Sequence, residues 1–126
     1  MRNRYVPVLQ EHAPEQLFDL DRLLDESGVL EIALLRQDGS RLELLFPSYL
    51  AYRKLDEGDA FEALKHAADS TKLGRSFYRV EESDFLDWYI VQRGGIRAND
   101  PLIHFVVMTL NDIIDVICRD APEVVI

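Results

Sequence analysis

The chain has 126 residues, 48% of them apolar, and carries 23 acidic against 14 basic residues for a formal charge of −9. That length and apolar content suit a single globular domain spanning 1–126 and exclude the charge-rich, core-poor composition of a disordered chain. The charge repels nucleic acid and anionic membranes, so neither is expected as a partner, and a basic protein surface is.

Cys118 is the only cysteine. It can form no intramolecular disulfide and no cysteine-based zinc site, which fits a reducing compartment. The segment Met1–Pro7 is basic but lacks the apolar run of a secretion signal, and no stretch reaches the length of a membrane span. A cytoplasmic protein is the expectation.

In chain order, residues 1–13 show no clear period and read as an arm or an edge segment. Pro14 suits the first turn of a helix, Leu17, Leu20, Leu23 and Leu24 fall at helical spacing, and Gly28 stands where a C-terminal cap belongs. The pattern predicts a helix over 15–27. Two apolar runs follow, 29–36 and 41–46, around Gln37-Asp38-Gly39-Ser40. A two-residue turn at Asp38-Gly39 would set Leu34 opposite Glu43, whereas a three-residue loop with Gly39 left-handed pairs Leu34 with Leu42, Ile32 with Leu44 and Leu30 with Phe46. Only the second register gathers one apolar face, so a bulged hairpin is predicted.

Residues 49–54 suit either a strand or a helical turn. Asp59 and Glu62 form a capping-box-like pair ahead of Phe61, Leu64 and Ala68, which predicts a helix over 60–69. Residues 76–81 alternate as a short strand. Ser83 then caps a third helix, with Phe85, Trp88, Tyr89 and Gln92 on one packed side, stopped by Gly94-Gly95. The run 102–110 is strand-like, and 113–118 suits a strand better than a helix because its β-branched residues favour the extended form. The expectation is an α+β domain, with a mostly antiparallel sheet of four to six strands and about three helices mainly on one face.

Catalytic signatures are sparse. No G-x-S-x-G is present, and Cys118 in its apolar run reads as a buried, inert thiol. His12, His66 and His104 are too scattered for a metal pair, and the glycines near Arg75, Arg93 and Arg97 fit no phosphate-binding motif. No catalytic residue, metal or cofactor is assigned. Carboxylates remain, in two clusters: Asp56, Glu57, Asp59 and Glu62, then Glu81, Glu82, Asp84 and Asp87. Both lie at predicted helix starts, where negative charge is locally stabilised. If they face outward together beside Trp88, they form an acidic patch with an aromatic anchor for a basic partner.

The segment Phe77-Tyr78-Arg79-Val80-Glu81-Glu82-Ser83-Asp84-Phe85-Leu86-Asp87-Trp88, with His104-Phe105, Thr109–Val116 and Pro122-Glu123-Val124, resembles small, mostly uncharacterised bacterial proteins of the toxin-immunity type. Tyr52-Arg53 and Asp56-Glu57-Gly58 extend the likeness over roughly residues 29–124. The resemblance implies a non-enzymatic inhibitor that occludes a cognate toxin. Two other readings stand beside it: a small-molecule or metabolic protein using Tyr52, Arg53 and His104 in a pocket, and a homo-oligomeric module that buries a sheet edge or the Trp88 face.

Overall fold

The structure, a computed structural model, describes residues 2–13, 17–56, 76–95 and 101–126. Its strands are β1 (Arg4–Pro7), β2 (Asp19–Glu26), β3 (Val29–Leu35), β4 (Arg41–Phe46), β5 (Tyr49–Asp56), β6 (Phe77–Glu81), β7 (Ile103–Met108), β8 (Asp112–Cys118) and β9 (Glu123–Val125). Among the described residues there is one α-helix, α1 (Asp84–Gln92), which leads from β6 towards β7. The strands form two antiparallel sheets in the orders β1-β6-β7-β8-β5 and β2-β3-β4-β9. The chain changes sheet between β4 and β5 at Pro47-Ser48. There the Ser48 carbonyl accepts the Arg119 amide at 3.1 Å and its hydroxyl accepts the Asp120 amide at 3.0 Å.

The two sheets share one core. Leu30, Ile32, Leu34, Leu42, Leu44 and Phe46 of the smaller sheet meet Phe77, Phe105, Val107, Ile114 and Val116 of the larger, all buried. Strand alternation sends the intervening residues of β6, β7 and β8 to the opposite face. There Tyr78, Val106, Met108 and Ile113 join Tyr5 and Val80 in a second apolar cluster. Phe85 is the only residue of α1 that is buried.

Over the described residues the fold is therefore nearly all-β, two antiparallel sheets with a single α-helix, which corrects the expectation of an α+β domain with one sheet and about three helices. Residues 19–26, expected to lie in the first helix, form β2 instead. The register of β2 against β3 shifts between Leu20 and Arg22, so one extra residue is accommodated and Leu20 and Leu23, three apart, both pack on the core. A bulged strand thus mimics helical spacing. Ser27 and Gly28 both have positive φ, +54° and +81°, the signature of a two-residue hairpin turn that matches strand twist. Gly28 closes a hairpin rather than a helix. The helix expected over 60–69 lies outside the described residues.

Other local signals read through directly. The β3–β4 register pairs Leu34 with Leu42, Ile32 with Leu44 and Leu30 with Phe46. Gly39 is left-handed at φ +86°, and the Arg36 amide donates to the Ser40 carbonyl at 2.8 Å to close the bulged loop. Residues 49–54 and 113–118 are both strand. The third expected helix exists, yet it is not packed along its aromatic side: Trp88 is 53% exposed and Val91 69%.

Candidate functional site

The site is built where β6 turns into α1. Glu82 takes a left-handed conformation, φ +53°, which turns the chain abruptly so that Ser83 can cap the helix. The Ser83 hydroxyl oxygen accepts the Leu86 amide at 2.9 Å. The same hydroxyl lies 2.6 Å from Nδ1 of His104 on β7, and His104 Nε2 lies 2.7 Å from Oδ1 of Asp115 on β8. Arg53 on β5 donates from Nε to the other oxygen, Oδ2, at 2.9 Å. Ser83, His104 and Asp115 are all buried. A neutral imidazole satisfies every group in this chain: Nε2–H donates to Asp115, and Nδ1 accepts the Ser83 proton.

Burial by itself pushes the Asp115 carboxyl up, but the hydrogen bond from His104 and the charge and hydrogen bond of the Arg53 guanidinium together hold it below the usual carboxylate range. The Arg53 guanidinium carbon then sits 4.0 Å from the Phe85 ring centre. Phe85 meets His104 edge-on at 5.4 Å and stacks with Trp88 at 5.8 Å, 17° from parallel. Ala51, Tyr52, Arg53, Phe85 and Trp88 line a cavity of about 290 Å³. The Tyr52 hydroxyl reaches Asp25 of β2 at 3.4 Å, on the opposite side of β5 from Arg53.

Ser, His and Asp in series suggest acyl transfer, but their bonds serve other ends. The Ser83 oxygen already caps α1. The Asp84 amide, next in the chain and best placed to steady an oxyanion, donates to Asn3 Oδ1 at 2.8 Å. What the chain does physically is fix a guanidinium at its exposed end. Cys118 is no better placed as a nucleophile: it is fully buried, and burial pushes its thiol up to about 12.

Of the acidic residues singled out by sequence, Glu81, Glu82, Asp84 and Asp87 gather around the start of α1 beside Trp88. Asp84 and Asp87 share Arg2, whose Nε lies 2.7 Å from Asp84 and whose Nη2 bonds Asp87. Asn3 adds a 2.8 Å bond to Asp84. Glu81 pairs with Arg4 at 2.9 Å, and that hydrogen bond holds its carboxyl below the ordinary value. Glu82 is exposed.

Asp56 lies elsewhere. It pairs with Asp112 at one end of the larger sheet, whereas Glu81, two residues beyond the Arg79–Phe105 pair, is near the other. The offset is about six residues, or roughly 20 Å along the strands. Glu57, Asp59 and Glu62 lie outside the described residues.

Asp115 was not singled out in the sequence, and His104 was read as a strand histidine and, in the small-molecule reading, as a pocket residue with Tyr52 and Arg53. A signal existed: each is a lone polar residue in a buried run. The β7–β8 register, which puts His104 opposite Ile117 and Val106 opposite Asp115, makes them diagonal neighbours on one face.

Among the described residues no group of three or more His, Cys, Asp or Glu could hold a metal ion, and no helix is long and apolar enough to cross a membrane. No protein-family model, curated protein or solved structure matches the chain.

Proposed function

We propose that the chain is a non-enzymatic protein-binding domain, an immunity-type inhibitor that neutralises a bacterial toxin by covering a basic surface, with the exposed face of α1 as its contact. The observation that carries this reading is Arg2 seated on Asp84 and Asp87 beside a half-exposed Trp88. The molecule's own arginine occupies the place a partner's arginine would take. Ion pairs this exposed contribute about 0–1 kcal/mol, so exchange for a partner's guanidinium costs little. A tryptophan flanked by charged groups has the composition of an interface hot spot.

Co-purification with the product of the adjacent open reading frame tests the proposal, and a complex that weakens with rising salt is the expected result. Within that complex, Trp88→Ala should cost at least about 2 kcal/mol, or some 30-fold in Kd. Asp84→Lys with Asp87→Lys should lower the association rate. Unchanged affinity in both variants would remove this face as the contact.

A further inference from the structure

We propose that the cavity between β5 and α1 is a binding site for a small aromatic monocarboxylate, with Arg53 as the anchor for its carboxylate. This goes beyond the docking reading and does not depend on it. Nε of Arg53 is committed to Asp115, and its remaining donors have no partner other than Asp115 among the described residues. The guanidinium side chain is 50% exposed. Its position is fixed by the bond from its Nε to Asp115, by the Phe85 ring against which it lies, and by Ser83 and His104, which hold Asp115 from behind.

That support is costly to build. Buried ion pairs stabilise a fold no better than apolar residues of similar volume, and Val, Ile or Leu would fill the positions of His104 and Asp115 on this face. The arrangement does supply a rigid, planar, half-exposed donor group, the usual device for recognising a carboxylate through two parallel bonds.

The walls select what carries the carboxylate. Ala51, Phe85 and Trp88 are apolar, and the half-exposed Trp88, backed by its stacking on Phe85, offers an aromatic surface to a further ring. A volume of about 290 Å³ is at the lower limit for ligand sites, which suits one ring with a short acid arm. The charge sets an upper bound. Among the described residues the lining holds one cation, already paired with Asp115 in a chain of net charge −9, which disfavours phosphates and polyanions and accepts a single carboxylate.

Trp88 is the only tryptophan, so its emission reports directly on this cavity. The full chain is titrated with sodium phenylacetate at constant ionic strength, and separately with 2-phenylethanol and sodium acetate. A saturable change is expected with phenylacetate, with binding about tenfold weaker or more for the alcohol and no response to acetate. Arg53→Gln, at a half-exposed position, should fold normally by circular dichroism and lose affinity at least about tenfold, while Arg53→Lys should recover only part of it. The proposal is overturned by no saturable response to phenylacetate, by equal affinity for the alcohol, or by wild-type affinity in a folded Arg53→Gln. Because no partner protein is present, these results are separate from the fate of the docking reading.

Discussion

The two faces of the five-stranded sheet are built from the same strands to different ends. The inner face of β6, β7 and β8 is uninterrupted hydrocarbon, Phe77, Phe105, Val107, Ile114 and Val116, packed against the smaller sheet. The outer face is equally buried along Val106, Met108 and Ile113, yet His104 and Asp115 cut through it and lead to Arg53 at the surface. Adjacent residues on one strand thus serve opposite faces: Phe105 fills a core while His104 holds a charge. The difference teaches that burial alone does not separate a stabilising residue from a positioning one. What does is whether its neighbours are satisfied by contact or by directed bonds.

Mutations on the two faces should differ in kind. The largest loss is expected from Phe105→Ala on the inner face, about 3–5 kcal/mol by urea denaturation, because its ring sits 5.5 Å from Phe46 and 6.3 Å from Phe77 and leaves a void between the sheets. A loss below about 1 kcal/mol would mean that the sheets do not share one core there.

Asp115→Ala, on the outer face, should cost about 3 kcal/mol by leaving the His104 donor without its acceptor. Here the double variant His104→Leu with Asp115→Leu should recover most of the loss, which no second substitution beside Phe105→Ala would do. Failure of that rescue would make the polar chain a stability element after all. The pH dependence has a definite sign. A carboxyl whose folded pKa is lowered adds stability that is fully present above its unfolded value of about 3.9 and is lost as pH falls through the lower folded value. The stability gap between the wild type and Asp115→Asn should therefore be widest above about pH 4 and close below it.

The smallest effect belongs to the far end of the chain. Ser83→Ala removes a helix cap and one bond to His104 and should cost about 1–2 kcal/mol. The Phe85 and Trp88 emission environment should loosen with it, since α1 begins at this residue.

How much of this was legible beforehand varies with the reach of the interactions. The bulged β3–β4 hairpin was readable because a seven-residue strand, a left-handed glycine and one apolar face admit a single register. Ser83 as a cap and Gly94-Gly95 as a stop were readable for the same local reason. β2 was misread because a bulge gives its leucines helical spacing, and only pairing with β3 reveals the extra residue. The acidic cluster at 81–87 was visible as composition, but its partners were not: Arg2 and Asn3 are about 80 positions away in the chain. The exposure of Trp88 likewise depends on which side of α1 meets the sheet.

By itself the sequence determined the β3–β4 turn and its register, the Ser83 cap and the net charge of −9, all of which depend on residues close to each other in the chain or on a simple count. Tertiary structure decided that the acidic residue Asp56 lies far from Glu81, that Arg2 covers Asp84 and Asp87, and that four strand and cap residues align into one bonded chain from Ser83 to Arg53. The physical reason is that sheets bring together residues distant in sequence through backbone pairing. Its side-chain consequences appear only once every strand has found its neighbour.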